Sequence, residues 1–274
     1  MRDKARQHKV YISASDLEEN LALEGTYYLT HKLISPEGEV LANYIRVQPD
    51  HPPLNAYLMG GKMHILPGDE ITVVETGLGN IGLQICSELW VPELSRIQML
   101  KGADIIISPV NGAHSLTHFR LSNTWRCIAR ARAAENLVFV IVPENIFFIN
   151  GRHFNLNVGC VASPEGFLAR SKGPGIMKAT LDMERLNWLR THYVEEDLLS
   201  PPKDPKKFRP VKCRPGQNHD RRPESYDLLT QPQSEAYDYS YYRKGLDTWQ
   251  EDYRKVRGQP RPGRKPFQNP YRGS

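Results

Sequence analysis

The residues with the clearest chemical potential are Cys86, Ser87 and Glu88, which follow the apolar run 81–85. This run, together with the helical pattern that ends at Gly102, predicts a strand, a sharp turn and a helix, with Cys86 at the carboxyl end of the strand. In parallel sheets, ligands and reacting groups lie at that end of the strands. A thiolate there can attack an electrophilic carbon and form a thioester that water later clears. The alternative interpretation is a buried structural cysteine, which is common for free thiols.

Composition and charge exclude several other classes of protein. The 274 residues suffice for one sizeable domain or two small ones, and the net charge of +5 does not indicate nucleic-acid binding. His51 and His64 show no spacing that suggests a metal, and no Walker loop or dinucleotide fingerprint is present, so we expect no metal and no cofactor. No apolar run approaches the length of about 20 residues that a membrane span needs. The N-terminal residues 1–9 lack the apolar core of a signal peptide, and we expect a cytoplasmic protein without a membrane partner.

The four cysteines are widely spaced and include no CxxC pair, so they fit neither a disulfide framework nor a zinc site. Cys127 lies within a helical pattern and Cys160 within a strand pattern, and both are interpreted as packing residues. This cysteine usage is typical of a reducing compartment.

Apolar periodicity predicts an α/β protein. Helices are expected within 94–101 and 119–135, and strands at 9–14, 26–34, 39–47, 71–75, 81–85, 105–107, 137–142, 156–163, 167–170 and 176–182. Strands that alternate with helices, mixed with hairpins, favour an α/β sandwich with buried central strands. Beyond Met183 the apolar periodicity weakens. From 233 to 274 the chain is basic and rich in Tyr, Pro and Arg, and we expect a disordered or loosely attached, solvated tail with no nucleic-acid partner. The alternative is that its basic residues and tyrosines contact RNA or an acidic partner.

Several ordered motifs together resemble the carbon–nitrogen hydrolase (nitrilase) family. The motifs are GNIGLQIC at 79–86, KGADIIISP at 101–109, RARAAENLVFVIVPEN at 130–145, VGCVASPEGFLA at 158–169, DRRPESY at 220–226 and, upstream, KLISPEGEVLANYIRVQP at 32–49. The resemblance covers roughly residues 9–230 and identifies the chain as an N-terminally short member. It divides the chain into an N-terminal extension (1–8), a hydrolase-like domain (9–232) and the tail (233–274).

The resemblance implies a four-layer αββα sandwich of the nitrilase type that lacks the first strand–helix units. It also implies hydrolysis of non-peptide carbon–nitrogen bonds in amides, carbamoyl compounds or nitriles, by a cysteine nucleophile, a glutamate base and a lysine. No metal or organic cofactor is needed. Because family members usually pair into larger assemblies, we expect a homo-oligomer whose substrate is a small amide or nitrile.

Carried onto this sequence, the resemblance assigns the nucleophile to Cys86 and the place of the lysine to Arg46. Arginine keeps the positive charge but is not an equivalent proton donor, since its pKa exceeds about 12. Lys62, in the following loop, is a weaker alternative, and Arg46 is otherwise an ordinary strand arginine paired with a carboxylate. Candidates for contact with substrate are Ser87, Glu88, Asn111 and His114.

The glutamate base of the family lies upstream of the element that begins here at Lys9, and we expect this chain to lack it. Glu18, Glu19 and Glu24 are predicted in the loop between the first two strands, which is not the position of the family's base. Two hypotheses follow. The chain is either an amidase-type hydrolase that acts through a Cys86 thioester, or a nitrilase-fold protein without turnover that serves as a binding or oligomerisation partner.

Overall fold

The computed structural model describes residues 1–23, 25–49, 64–111, 122–149, 151–191 and 221–231. The chain divides into two compact units. The larger unit comprises Met1–Glu18, Tyr28–Pro49 and Pro67–Pro232, and the smaller comprises Glu19–Tyr27, Asp50–Leu66 and Gln233–Ser274. The predicted tail, 233–274, lies outside the described residues.

The first sheet is built from the amino-terminal third of the chain. Helix α1 (Arg2–His8) precedes strands β1 (Ile12–Glu19), β2 (Thr26–Ile34) and β3 (Val40–Ile45), which lie side by side in that order. Strands β2 and β3 form an antiparallel hairpin. Its turn closes where the Gly38 N–H donates to the Ser35 carbonyl at 2.9 Å, and Gly38 has a φ of 79°, which suits glycine.

The smaller unit contains one described strand pairing. Strand β4 (His64–Ile65) pairs in parallel with Thr26 and Tyr27, and the Leu66 N–H donates to the Tyr27 carbonyl at 2.8 Å.

The second sheet contains six strands in the order β12-β11-β8-β7-β6-β5. The strands that follow β4 in the chain are β5 (Val73–Thr76), β6 (Gly79–Leu83), β7 (Ile105–Ile107), β8 (Phe139–Val142), β9 (Phe147–Ile149), β10 (Arg152–Phe154), β11 (Cys160–Ser163) and β12 (Gly166–Arg170). Strands β6, β7 and β8 are parallel and read as apolar runs because both of their faces are covered. Strands β9 and β10 form a separate hairpin.

Three longer helices accompany this sheet: α2 (Pro92–Leu100), α3 (Ser122–Asn136) and α4 (Met183–Thr191). Pro92 occupies the first turn of α2, where its missing N–H needs no partner. A 3-10 helix (Cys86–Trp90) joins β6 to α2, and two further 3-10 turns lie at Pro223–Ser225 and Asp227–Thr230.

The core consists of two layers of buried side chains, one on each side of the six-stranded sheet. In the first layer, Trp125 and Ala129 of α3 pack with Val140 of β8 and Cys160 of β11. In the second, Leu33 and Tyr44 of the first sheet pack against side chains of the second sheet, namely Ile81, Leu83, Ile105 and Phe139. This stacking of helix on sheet on sheet confirms the predicted α/β sandwich. The burial of Cys160 is also confirmed.

Several local predictions were wrong. Glu18 and Glu19 belong to β1 and not to a loop, because Glu18 accepts hydrogen bonds from Lys32 and Asn43 of the neighbouring strands. Residues 176–182 form no strand, and Ile176 is 92% exposed. Cys127 is exposed on α3 and is not a packing residue.

Candidate functional site

Cys86 lies where the ladder of parallel strands ends and the chain turns. The Gln84 N–H donates to the Ile107 carbonyl at 3.0 Å, and the Cys86 N–H donates to the Pro109 carbonyl at 2.9 Å, so the pairing with the segment after β7 continues past Leu83. At Cys86 itself φ is 55°, in the left-handed region. For a residue with a Cβ this conformation costs roughly 1–2 kcal/mol. The half-buried thiol therefore sits on a strained turn, as residues at functional sites often do.

Glu88 anchors this turn from inside the protein. Its exposed fraction is 0%, and its Oε2 accepts the N–H of Ile85 at 2.8 Å. Its Oε1 accepts the hydroxyl of Tyr44 at 2.7 Å and the N–H of Gln48 at 2.9 Å. Burial raises the pKa of Glu88, and the positive charge of Arg46 opposes that rise. The carboxyl group thus ties the Cys86 turn to the end of β3.

Arg46 makes a second link between the Cys86 turn and the end of β3. It is 2% exposed, its Nη2 donates to Ser87 Oγ at 2.5 Å, and its backbone N–H donates to the Leu29 carbonyl at 2.9 Å. Tyr44, two residues earlier, has a raised pKa, chiefly because it is buried and next because Glu88 is negative. The buried cation of Arg46 therefore contacts Ser87, the residue that follows the candidate nucleophile in the chain.

His31 is a buried polar residue of the site that the sequence analysis missed. It is 0% exposed on β2, and its Nδ1 lies 2.9 Å from the carbonyl oxygen of Gln84, two residues before Cys86. Its Nε2 lies 2.6 Å from Ser13 Oγ on β1. Burial lowers the pKa of His31 to about 4. The available signal was weak, because His31 stands between Thr30 and Lys32 in β2 and does not interrupt an apolar run.

The structure brings four of the predicted site residues together: Cys86, Ser87, Glu88 and Arg46. Asn111 is exposed directly after Val110, which bridges to Glu144 beyond the neighbouring strand β8. Three other predicted positions, Glu24, Lys62 and His114, lie outside the described residues. The functional roles of all these residues stay predictions.

The described ranges contain no group of three or more His, Cys, Asp or Glu side chains placed to hold a metal ion. Within the same ranges, no helix has the length and apolarity needed to cross a membrane.

Comparison with known proteins finds several amidases among the relatives of this chain. The deaminated glutathione amidase of Synechocystis is 29% identical over 173 residues, which cover 61% of each protein. The NitFhit protein of C. elegans superposes with a TM-score of 0.59 at 25% identity, covering 69% of this chain and 46% of that one. An amidase from Nesterenkonia sp. AN1, solved as a mutant with acrylamide added at its active-site cysteine, superposes with a TM-score of 0.54 at 25% identity and covers 68% of both chains.

The chain spans about half to three fifths of the length of several curated relatives that it matches. The family model for carbon–nitrogen hydrolases matches residues 1–190, which is more than half of the chain. The structural relatives carry the nitrilase-type sandwich that the motifs predict. The chain belongs to the carbon–nitrogen hydrolase family.

Proposed function

We propose that this protein hydrolyses the carbon–nitrogen bond of a small amide or nitrile through a thioester on Cys86. The observation that carries the proposal is the placement of the Cys86 thiol, half-buried on a strained turn at the carboxyl end of a parallel strand. The buried cation of Arg46 supports it, because that cation contacts the residue next to Cys86. The amidases among the relatives give the substrate class.

For an amide, the reaction has two halves. The Cys86 thiolate attacks the carbonyl carbon, a carbon–sulfur bond forms, and the carbonyl oxygen takes the negative charge. Collapse of this intermediate breaks the carbon–nitrogen bond, and the amine leaves with a proton taken from solvent, which replaces the proton that the Cys86 thiol released when the thiolate formed; the attacking water of the second half returns a proton to solvent. Water then attacks the thioester, sulfur leaves as the thiolate, and a carboxylic acid is released. The sum is amide plus water giving acid plus ammonia or an amine.

In this mechanism Arg46 stabilises negative charge and does not move protons. The N–H groups of Cys86 and Glu88 already donate to the carbonyls of Pro109 (2.9 Å) and Ile85 (3.2 Å). We therefore assign stabilisation of the thiolate and of the oxyanion to the guanidinium, which remains charged throughout the working pH range.

Glu88 supports the Cys86 turn indirectly, because its carboxyl group accepts the N–H of Ile85 before the turn and the N–H of Gln48 after β3. Its two oxygens accept three hydrogen bonds, so it is poorly suited to take the thiol proton.

Ser87 and Asn111 are assigned to contact with substrate, as is His114 in the adjoining segment. General acid–base assistance is typically worth 10²–10⁴-fold, and we expect turnover without it to be slow.

The second candidate function is that of a nitrilase-fold binding or oligomerisation partner without turnover, with self-association into a homo-oligomer. One feature favours it: the resemblance puts an arginine, Arg46, in the place of the family's lysine.

The test is to incubate the protein with a panel of short aliphatic amides and nitriles and to measure its intact mass. We expect an acyl adduct that maps to Cys86, disappears in hydroxylamine and is accompanied by release of ammonia. The Cys86→Ala variant should form no adduct, whereas Cys127→Ala, which removes an exposed thiol, should behave as the wild type. If the wild type forms no adduct and releases no ammonia yet sediments as an oligomer, the second candidate function is correct.

A further inference from the structure

One peptide group next to Cys86 is held at both of its polar atoms by buried titratable side chains. This group joins Gln84 to Ile85. Its carbonyl oxygen lies 2.9 Å from Nδ1 of His31, and its N–H donates to Oε2 of Glu88 at 2.8 Å. With both ends occupied, the peptide plane has a fixed orientation at the point where the strand passes into the strained turn.

The two side chains approach from different parts of the larger unit. His31 belongs to β2 of the first sheet, whereas Gln84 follows β6 of the second, so their hydrogen bond crosses from one sheet to the other. Glu88 belongs to the 3-10 helix that begins at Cys86. The orientation of the peptide therefore depends on the packing of the two sheets as well as on the local chain.

The chemistry of its partners fixes the protonation of His31. A carbonyl oxygen only accepts, so Nδ1 carries the proton that reaches Gln84. In the neutral ring Nε2 is then an acceptor, and the hydroxyl of Ser13 donates to it at 2.6 Å. The Gln84 carbonyl thereby fixes the tautomer, and Ser13 helps to fix the rotation of the ring.

We propose that His31 is a positioning residue for Cys86: by holding the Gln84 carbonyl, it keeps the thiol in the orientation from which it attacks substrate. The proposal rests on the proposed function, because it takes Cys86 as the reacting group. Without the His31 donor, the Gln84 carbonyl loses its buried partner, and Glu88 is left to orient the peptide through its N–H. The strain at Cys86, where φ is 55°, then has a route to relax.

The experiment compares two polar substitutions that differ only in where the side-chain amide lies. In His31→Asn the amide nitrogen takes the place of Nδ1 and still reaches the Gln84 carbonyl. In His31→Gln the amide lies at the place of Nε2, beside Ser13, and the donor to Gln84 is lost. A third variant, Ser13→Ala, keeps the imidazole and removes the hydroxyl that orients it.

Two measurements are made on each variant. The first is amide hydrogen exchange at residues 84–88, with β8 as the reference for global stability. The second is the rate of alkylation of Cys86 by iodoacetamide, with exposed Cys127 as an internal reference thiol.

We expect His31→Gln to speed exchange at Ile85 and Cys86 by about 10-fold, and to slow alkylation of Cys86 relative to Cys127 by about 10-fold or more, since small misplacements of reacting groups are costly. His31→Asn should stay close to the wild type and Ser13→Ala should fall between them. Equal exchange at residues 84–88 in His31→Asn, His31→Gln and the wild type would overturn the proposal. If exchange follows the prediction but wild-type Cys86 reacts no faster than Cys127, His31 positions the turn and the proposed function is what fails.

Discussion

The hydroxyl of Tyr44 donates to Glu88 Oε1 at 2.7 Å, and this buried hydrogen bond joins the end of β3 to the 3-10 helix that begins at Cys86. The same carboxyl group accepts the N–H of Ile85, so a single acidic side chain links the first sheet to the peptide before the nucleophile. The candidate site is thus held by contacts between the two sheets and does not depend on the local turn alone.

Replacing Tyr44 with Phe removes one donor from Glu88 while keeping the ring. We expect Tyr44→Phe to lower the free energy of unfolding by about 1–3 kcal/mol, because it leaves a buried carboxyl oxygen short of a partner. It should also raise the pKa of Glu88 further, since the Tyr44 hydrogen bond lowers that pKa in the wild type. Urea unfolding measures the loss. Tyr28→Phe, at a half-buried tyrosine of β2, is the control, and an equal loss in both variants would contradict the role given to Tyr44.

The left-handed conformation at Cys86 predicts an unusual order of stabilities. Both Cys86→Ala and Cys86→Gly remove the thiol, but only glycine adopts a φ of 55° without strain. We expect Cys86→Gly to be more stable than Cys86→Ala by about 1 kcal/mol, although glycine is usually the less stable of the two. Thermal unfolding of the two variants side by side provides the comparison. A more stable Cys86→Ala variant would show that the turn is not strained.

Burial of His31 predicts a loss of stability in acid. Its pKa falls from an ordinary value of 6.5 to about 4 in the folded protein, so between these values the unfolded chain binds a proton that the folded chain does not. The stabilising contribution is complete above pH 6.5 and is lost as the pH drops towards 4, by about 3 kcal/mol in total. His31→Asn has no group that titrates there, so its unfolding free energy should lack this component.

Urea unfolding of both proteins at a series of pH values isolates the His31 term as the difference between their curves. The raised pKa of Glu88 gives a slope of the opposite sign, because there the folded state binds the extra proton, and it is common to both proteins. Parallel curves for the wild type and His31→Asn would mean that His31 is not held neutral.

Arg190 links helix α4 to other parts of the larger unit, so its removal should lower stability. Its guanidinium donates to the carboxylate of Asp104 and, at 2.9 Å each, to the carbonyls of Leu137 and Ala103. We expect Arg190→Ala to cost about 2–4 kcal/mol, since partly buried carbonyls and a carboxylate lose their donor together. Arg185 is the matched control on the same helix, because its pair with Glu165 is exposed to solvent and contributes little to stability. Chemical denaturation measures both, and similar losses would refute the assignment.

The sequence predicted the buried strands and the long helices well, because their signals are local. Strands β6, β7 and β8 are apolar runs, and α3 has a helical apolar period, so each could be recognised without its neighbours. Helix α4 was missed because only Leu186 and Leu189 are buried among its polar residues. The β9–β10 hairpin was also missed.

The candidate site was predictable only in part. The motifs proposed Cys86 and Arg46 as candidates, but the Tyr44–Glu88 and His31–Gln84 contacts join residues 44 and 53 positions apart. Such pairs depend on how one sheet lies against the other, and no spacing within a single strand encodes that.

The central claim is that the site activates the thiol of Cys86, and its most direct test is alkylation of the intact protein by an electrophilic thiol probe over a range of pH, with the modified cysteine identified by mass mapping. Our account predicts selective modification of Cys86 that persists well below the ordinary thiol pKa of about 8.5 and that is faster than modification of the exposed Cys127. If Cys86 reacts no faster than the exposed Cys127 at any pH, the thiol is not activated and the hydrolase mechanism is contradicted.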